Sequence, residues 1–404
     1  MPDCTVLIIA GEASGDAHGA RLVSEIRRLL PQVQCVGIGG EALAAHGVEL
    51  LARAEDLAVV GLTEVAARLP AVVGALREVG RVLKRRRPVL AILIDFPDFN
   101  FLVARLAKRQ RVPVMYYISP QVWAWRRRRV RTIARLVARM VVIFPFEEDF
   151  YRREGVPVTF VGHPFMETLP ILPPRENLLA EWGLDPKRLT LALLPGSRAS
   201  EIERHLPIML AAARIIRQAI PEVLFLLPLA STAPRKPVEE MVGNFLGEGP
   251  GNAASCSPLL SRNACLHLLD GQAYAALAAA HLAIVASGTV TVEAALAGTP
   301  AIIIYRLGPL TYQVARQLIR VEHIGMANLL AGEGLYPELI QEDLTPERLA
   351  AEVLRWLREP ERLEHVRQGL ARVVKRLGPP GASARAARVA VELIKSGTAP
   401  LLRK

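Results

Sequence analysis

The stretch LALLPGSRASEIERH, Leu191–His205, decides the fold. It reads as a buried strand, a tight Pro195-Gly196-Ser197 turn, and a helix opened by Ser200. A strand running directly into a helix belongs to a layered α/β sheet. The helix start offers unpaired backbone N–H groups and the positive end of the helix dipole. Gly196 lets a ligand approach the backbone closely, and Arg198 adds a planar fork of donors suited to phosphate oxygens. The turn therefore suits a diphosphate, although an ordinary capped helix with a solvated Arg198 would use the same residues.

The same pattern recurs outward from this stretch. Leu282–Ala286 reads as a strand and is followed by SGTVTVEAALAGTP, Ser287–Pro300. Ser287, Gly288 and Thr289 form a second small polar turn at a helix start. Glu293 lies one helical turn beyond Thr289, where one carboxylate can accept from two neighbouring ribose hydroxyls. Gly298 ends that helix and launches a strand at Ala301–Tyr305. Val223–Leu227 and Leu266–Leu269 also read as strands. Between them, Gly243–Arg262 is rich in Gly, Ser, Asn and Pro and reads as a surface insertion.

The first half repeats the alternation. Thr5–Ala10 and Gln34–Ile38 are strand-like, with GEASGD, Gly11–Asp16, and an amphipathic stretch between them. Ligands of parallel α/β sheets bind outside the carboxyl ends of the strands, and GEASGD lies at such an end. Ser14 could donate there, and Glu12 or Asp16 accept. Val89–Ile94 is another strand, and DFPDFN follows it, placing Asp95 at the mouth of the sheet. One carboxylate suffices as general base when a single hydroxyl must be deprotonated. Asp98 is the better candidate for a helix cap. A metal on Asp95 and Asp98 lacks a nearby His or third acid, so none is expected.

Pro113–Ile118 runs into SPQVWAWRRRRVRTIARLVARM, Ser119–Met140. Arg127, Arg131, Arg135 and Arg139 recur every four residues, so one helix would carry a basic stripe opposite Ile133, Leu136, Val137 and Met140. With Trp123 and Trp125 beside it, such a helix suits an anionic bilayer surface. It could also serve nucleic acid, but aromatics are only 5% of residues and no RNA-binding pattern or zinc motif occurs. His163 ends a strand; it could contact a ligand, but reads rather as a satisfied interdomain histidine. Leu172-Pro173-Pro174 reads as a linker, dividing residues 1–170 from residues 171–375, with a last helical segment over 376–404.

A chain of 404 residues, 51% of them hydrophobic, suffices for two such domains. Net charge is +11 and uneven: residues 1–170 carry 24 Lys/Arg against 17 Asp/Glu, the rest 26 against 22. Excess positive charge favours an anionic partner without choosing among membrane, nucleic acid and phosphorylated substrate. Four scattered cysteines without a CxxC pair fit a reducing compartment. The opening residues have neither a basic lead nor a long apolar run, so no export signal is expected, and no run of about 18 apolar residues free of charge and polar breaks occurs, so no spanning helix is expected.

Six blocks in order carry a resemblance: AGEASGD from Ala10, IDFPDFN around Asp95, SPQVWAWR around Trp123, LLPGSR ending at Arg198, ASGTVTVEAALAGTP around Ser287, and NLLAG from Asn328. The chain resembles the lipid-A-disaccharide synthase family, bacterial glycosyltransferases of GT-B architecture. Related UDP-sugar transferases and UDP-N-acetylglucosamine 2-epimerases share only that fold and parts of the second-half pattern. The resemblance implies two Rossmann-like domains facing a cleft, with the final helix crossing back to the first domain. It implies condensation of UDP-2,3-diacylglucosamine with 2,3-diacylglucosamine 1-phosphate (lipid X), giving a β-1,6-linked disaccharide and UDP with inversion and without a cofactor. Asp95 would be the base, with Glu12 and Ser14 near the reacting sugars. Arg198 would hold the diphosphate, with Gly196, Ser197, Ser287, Gly288, Thr289, Glu293 and Asn328 lining the nucleotide site. Trp123, Trp125, Arg127 and Arg131 would face lipid. The enzyme would be cytoplasmic, peripheral on the inner membrane, and a monomer or homodimer, with no nucleic-acid partner.

Overall fold

The computed structural model describes residues 4–57, 64–123, 129–230, 232–247, 265–308, 312–313 and 322–398. The chain divides into two compact units, one of residues 1–168 with 377–404, the other of residues 169–376.

The first unit holds a seven-stranded parallel sheet. Its strands are β1 (Thr5–Ala10), β2 (Gln34–Gly39), β3 (Glu49–Arg53), β4 (Leu90–Ile94), β5 (Val114–Tyr117), β6 (Arg139–Val142) and β7 (Val158–Phe160), in the order β3-β2-β1-β4-β5-β6-β7. Every residue of β1 and β4 is buried, as the near-continuous apolar runs TVLIIA and LAILI require when helices cover both faces. One face packs against the helices Glu64–Arg85, Pro97–Arg109 and Val130–Leu136. On the other, helix Ala13–Leu29 packs against the last helix, Ala382–Thr398. The order reverses between β1 and β4, which pair through Ala10 and Ile94, so the loops after these two strands leave side by side.

The second unit has a six-stranded parallel sheet of β8 (Thr190–Leu194), β9 (Leu224–Leu229), β10 (Leu266–Asp270), β11 (Leu282–Ala286), β12 (Ala301–Tyr305) and β13 (Glu338–Ile340). Its order, β10-β9-β8-β11-β12-β13, reverses between β8 and β11, the two strands that carry the polar turns.

Several local expectations are corrected. Ser200 does not open its helix: the helix is Ala199–Ala219 and Arg198 is the residue before it. Asp98 is not a cap. It sits in the first turn of Pro97–Arg109, because Phe96 turns left-handed and Pro97 starts the helix with its φ already helical. The basic stripe does not form on one helix. That helix ends at Leu136, Val137 becomes extended, and Arg139 opens β6, since Met140–Val142 must pair with its neighbouring strands. Arg127 and Trp125 lie outside the described residues. Gly243–Leu246 are not insertion but the end of helix Arg235–Leu246, closed by left-handed Gly247; residues 248–264 lie outside the described residues.

Candidate active site

In the first unit, the loops after β1 and β4 meet. Asp95 and Phe96 both adopt left-handed backbone, with φ of 44° and 47°. Two such non-glycine residues in a row are strained and persist only if their surroundings hold them. The carbonyl of Asp95 accepts from the Tyr116 hydroxyl at 2.6 Å and from Asn100 Nδ2 at 2.6 Å, and the same amide reaches Ile94 O at 3.2 Å. Tyr116 and Asn100 are fully buried. Phe96 stacks on Phe99 and lies over Gly11, where a Cβ would stand 2.1 Å from the Phe96 ring. Gly11 is thus the residue that lets the two loops touch. Asp95 is half-buried, while Glu12 and Ser14 are exposed at the start of helix Ala13–Leu29.

Asp16, considered above as an acceptor for ligand, is buried and structural. Its carboxylate accepts from the backbone N–H of Gly40 at 2.7 Å, Ala42 at 2.9 Å and Leu43 at 3.3 Å, capping the next short helix. Trp123 is not lipid-facing. It is buried, packs edge-on against Phe146, and donates from Nε1 to Glu147 Oε1 at 3.1 Å. Burial pushes the Glu147 carboxyl up to about 8. Arg131 is exposed. His163 belongs to the first unit: buried between Phe144 and Phe165, it accepts at Nδ1 from Phe165 N, and its backbone N–H donates to Leu377 O.

In the second unit, Gly196 has φ +122° and Arg198 presents a largely exposed side chain. The turn is held internally. Glu201 Oε2 accepts from Ser197 N at 3.2 Å and Arg198 N at 3.3 Å, so these donors are taken by a carboxylate. These two N–H groups precede the helix, which begins at Ala199; beside them the Arg198 guanidinium is the exposed donor. Two residues missed in the sequence complete the turn. His205 is buried, bonds Pro195 O through Nδ1 at 2.7 Å and accepts from Arg306 N at Nε2, so its proton resides on Nδ1. Thr232 donates to Ser197 O. His205 closes the opening stretch and stands four residues after Glu201, so helical spacing would have put both on the face toward the turn.

Beside it, Gly288 and Thr289 are exposed and Ser287 is half-buried, donating from Oγ to Ile324 O at 3.0 Å. Glu293 is half-buried, and desolvation raises its carboxyl above the usual range. Asn328 does not line a ligand site. It is fully buried, its amide donates to Tyr336 O and Glu338 Oε1, and its carbonyl accepts from Tyr336 N. Glu338 in turn accepts from Ile324 N and Gly325 N, so Asn328 supports the segment that Ser287 touches. Among the described residues, no three His, Cys, Asp or Glu side chains form a metal-binding group.

Two doubly wound parallel sheets, each with polar loops at its reversal point, place the chain in the GT-B class of α/β enzymes. Its fold is similar to that of UDP-GlcNAc 2-epimerase from Neisseria meningitidis bound to UDP-GlcNAc (TM-score 0.62, 12% identity, 97% of this chain and 100% of that one). It is similar also to MurG from Acinetobacter baumannii (TM-score 0.55, 16% identity, 97% and 100% covered). Among sequences, the lipid-A-disaccharide synthase of Syntrophus aciditrophicus is 47% identical over 390 residues, 96% of this chain and 98% of the relative. That of Geobacter sulfurreducens is 45% identical over 390 residues, 96% and 97%. The lipid-A-disaccharide synthetase family matches residues 6–393, and the chain belongs to this family of glycosyltransferases.

Proposed function

We propose that the enzyme condenses UDP-2,3-diacylglucosamine with lipid X, forming the β-1,6-linked disaccharide 1-phosphate and UDP. The observation that carries this reading is the pairing of polar motifs at both reversal points: Asp95 beside Gly11-Glu12 after β4 and β1, and Arg198 beside Ser287-Gly288-Thr289 after β8 and β11. The first unit takes the acceptor and the second the nucleotide sugar.

Asp95 accepts the proton of the acceptor 6-hydroxyl as its oxygen attacks the donor's anomeric carbon. The bond from that carbon to the diphosphate oxygen breaks in the same displacement, so the configuration inverts. Arg198 stabilises the charge that develops on the departing diphosphate. Glu293 accepts from the ribose hydroxyls. Glu12 and Ser14, exposed beside Asp95, contact the sugars. Arg131 and the surplus of basic residues in the first 170 positions favour peripheral, salt-sensitive attachment to an anionic leaflet. Among the described residues, no helix is long and apolar enough to cross a membrane.

The test is incubation of the purified chain with UDP-2,3-diacylglucosamine and lipid X, followed by mass analysis. A disaccharide monophosphate with stoichiometric UDP supports the reading. Transfer to soluble, unacylated sugars in preference would overturn it in favour of another UDP-sugar enzyme.

A further inference from the structure

We propose that Arg105, Arg129 and Thr132 form an anion site close to Asp95 that takes the phosphate monoester of the acceptor. This deepens the reading above and rests on it for the identity of the acceptor. Asp98, Phe101 and Arg105 fall on one face of helix Pro97–Arg109. Arg129 and Thr132 come from the start of the neighbouring helix Val130–Leu136. The five side chains line a cavity of about 130 Å³, the room of roughly four waters.

The electrostatics favour an anion. Arg129 Nη2 donates to Asp98 Oδ1 at 2.8 Å, which commits one of its five N–H groups. Asp98 is 79% exposed, so that pair is screened by water and weak. Arg105 is exposed and forms no ion pair among the described residues. Two guanidinium groups thus meet one carboxylate. A phosphate monoester carries close to two negative charges at neutral pH and three acceptor oxygens, enough to bridge both arginines and the Thr132 hydroxyl. A bilayer phosphodiester has one charge and two free oxygens, and satisfies fewer donors.

The cavity is also fixed to the base. Arg129 lies over the Phe101 ring at 5.4 Å from its centroid, and Phe101 packs on Tyr116 at 6.3 Å. Tyr116 holds the Asp95 carbonyl. Asp98 lies within a turn of Asp95, and Arg105 about 10 Å further along the axis. In the acceptor, the phosphate-bearing C1 and the C5 that carries the hydroxymethyl group both adjoin the ring oxygen, so the two groups lie within one sugar ring of each other.

The test compares the wild-type chain with Arg105→Ala, Arg129→Lys and the Arg105→Ala/Arg129→Ala pair. The acceptors are lipid X and the same lipid lacking the phosphate, in neutral detergent. The double variant should raise the KM for lipid X about thirtyfold while kcat and the donor KM stay within about twofold. The two acceptors should become nearly equivalent, and Arg129→Lys should recover part of the difference. An equal loss with both acceptors overturns the proposal. So does a variant that loses only binding to vesicles of anionic phospholipid, because the arginines then read bilayer headgroups. Calorimetry with glucosamine 1-phosphate separates the two readings. Binding lost in the double variant supports the site even if the wild-type chain yields no disaccharide, an outcome that would defeat the transfer reading alone.

Discussion

At the residue scale, the proposed transfer rests on one carboxylate, Asp95, and one guanidinium, Arg198. Asp95→Asn keeps the shape and hydrogen-bonding size of the side chain but removes the proton acceptor. Transfer should fall by about 10²–10⁴-fold with the circular dichroism spectrum unchanged, and a near-normal rate would reject the base. Arg198→Ala should weaken UDP binding, read by calorimetry, by about tenfold or more, since a charged hydrogen bond to phosphate is lost. Tyr116→Phe is subtler. It deletes one bond to the Asp95 carbonyl and leaves the carboxylate itself untouched. We expect kcat to drop about tenfold with both KM values preserved and about 1 kcal/mol of stability lost, since the ring still fills its site. An unaltered kcat would mean that Asn100 alone holds the strained turn.

At the element scale, the turns at the sheet ends are braced from distant segments. Gly11 supports Phe96 across two strands, His205 ties Pro195 to Arg306, and Asn328 ties its helix to Tyr336 and Glu338. Asn328→Ala strands the Tyr336 N–H and C=O in the interior and removes one of two donors to Glu338 Oε1, which keeps Gly325 N. The expected cost is about 2–4 kcal/mol in urea unfolding, with loss of donor affinity following from the loosened support of Ser287. A variant of wild-type stability would show that these bonds do not hold the segment that Ser287 touches.

At the scale of the whole molecule, buried ionisable groups shape the pH response. Burial holds His163 down to about 3 and, with help from Arg21, His18 down to about 4. Both are neutral when folded but take up protons near 6.5 when unfolded, so their contribution is complete above pH 6.5 and is lost as pH falls toward 4. Glu147 has the opposite sign. Its folded carboxyl lies near 8, so its contribution is complete below the ordinary carboxylate range and is lost as pH rises toward 8. The urea midpoint of the first unit should therefore peak near pH 6.5 and fall on both sides. Glu147→Gln should flatten the alkaline limb, and His163→Gln the acid limb. Limbs that these substitutions leave unchanged would assign the pH response to other groups.

The order of strands and helices was legible because each buried strand is an uninterrupted apolar run ending in a polar turn, and local periodicity records that. LALLPGSR and AILIDFPDFN show where the sheets end, and therefore where Asp95 and Arg198 emerge. Asp16, Trp123 and Asn328 were misread for a common reason. Each is polar or amphipathic near a motif, and only the packed chain reveals that its partners are Gly40, Glu147 and Tyr336, between 8 and 24 residues away. The basic stripe failed similarly: a four-residue repeat is a local signal, and strand pairing at Met140 overrode it. Periodicity along a chain reports which residues want to be inside. Which donor meets which acceptor is decided when distant segments close on each other, because a hydrogen bond requires atoms within about 3 Å and sequence separation says nothing about that distance.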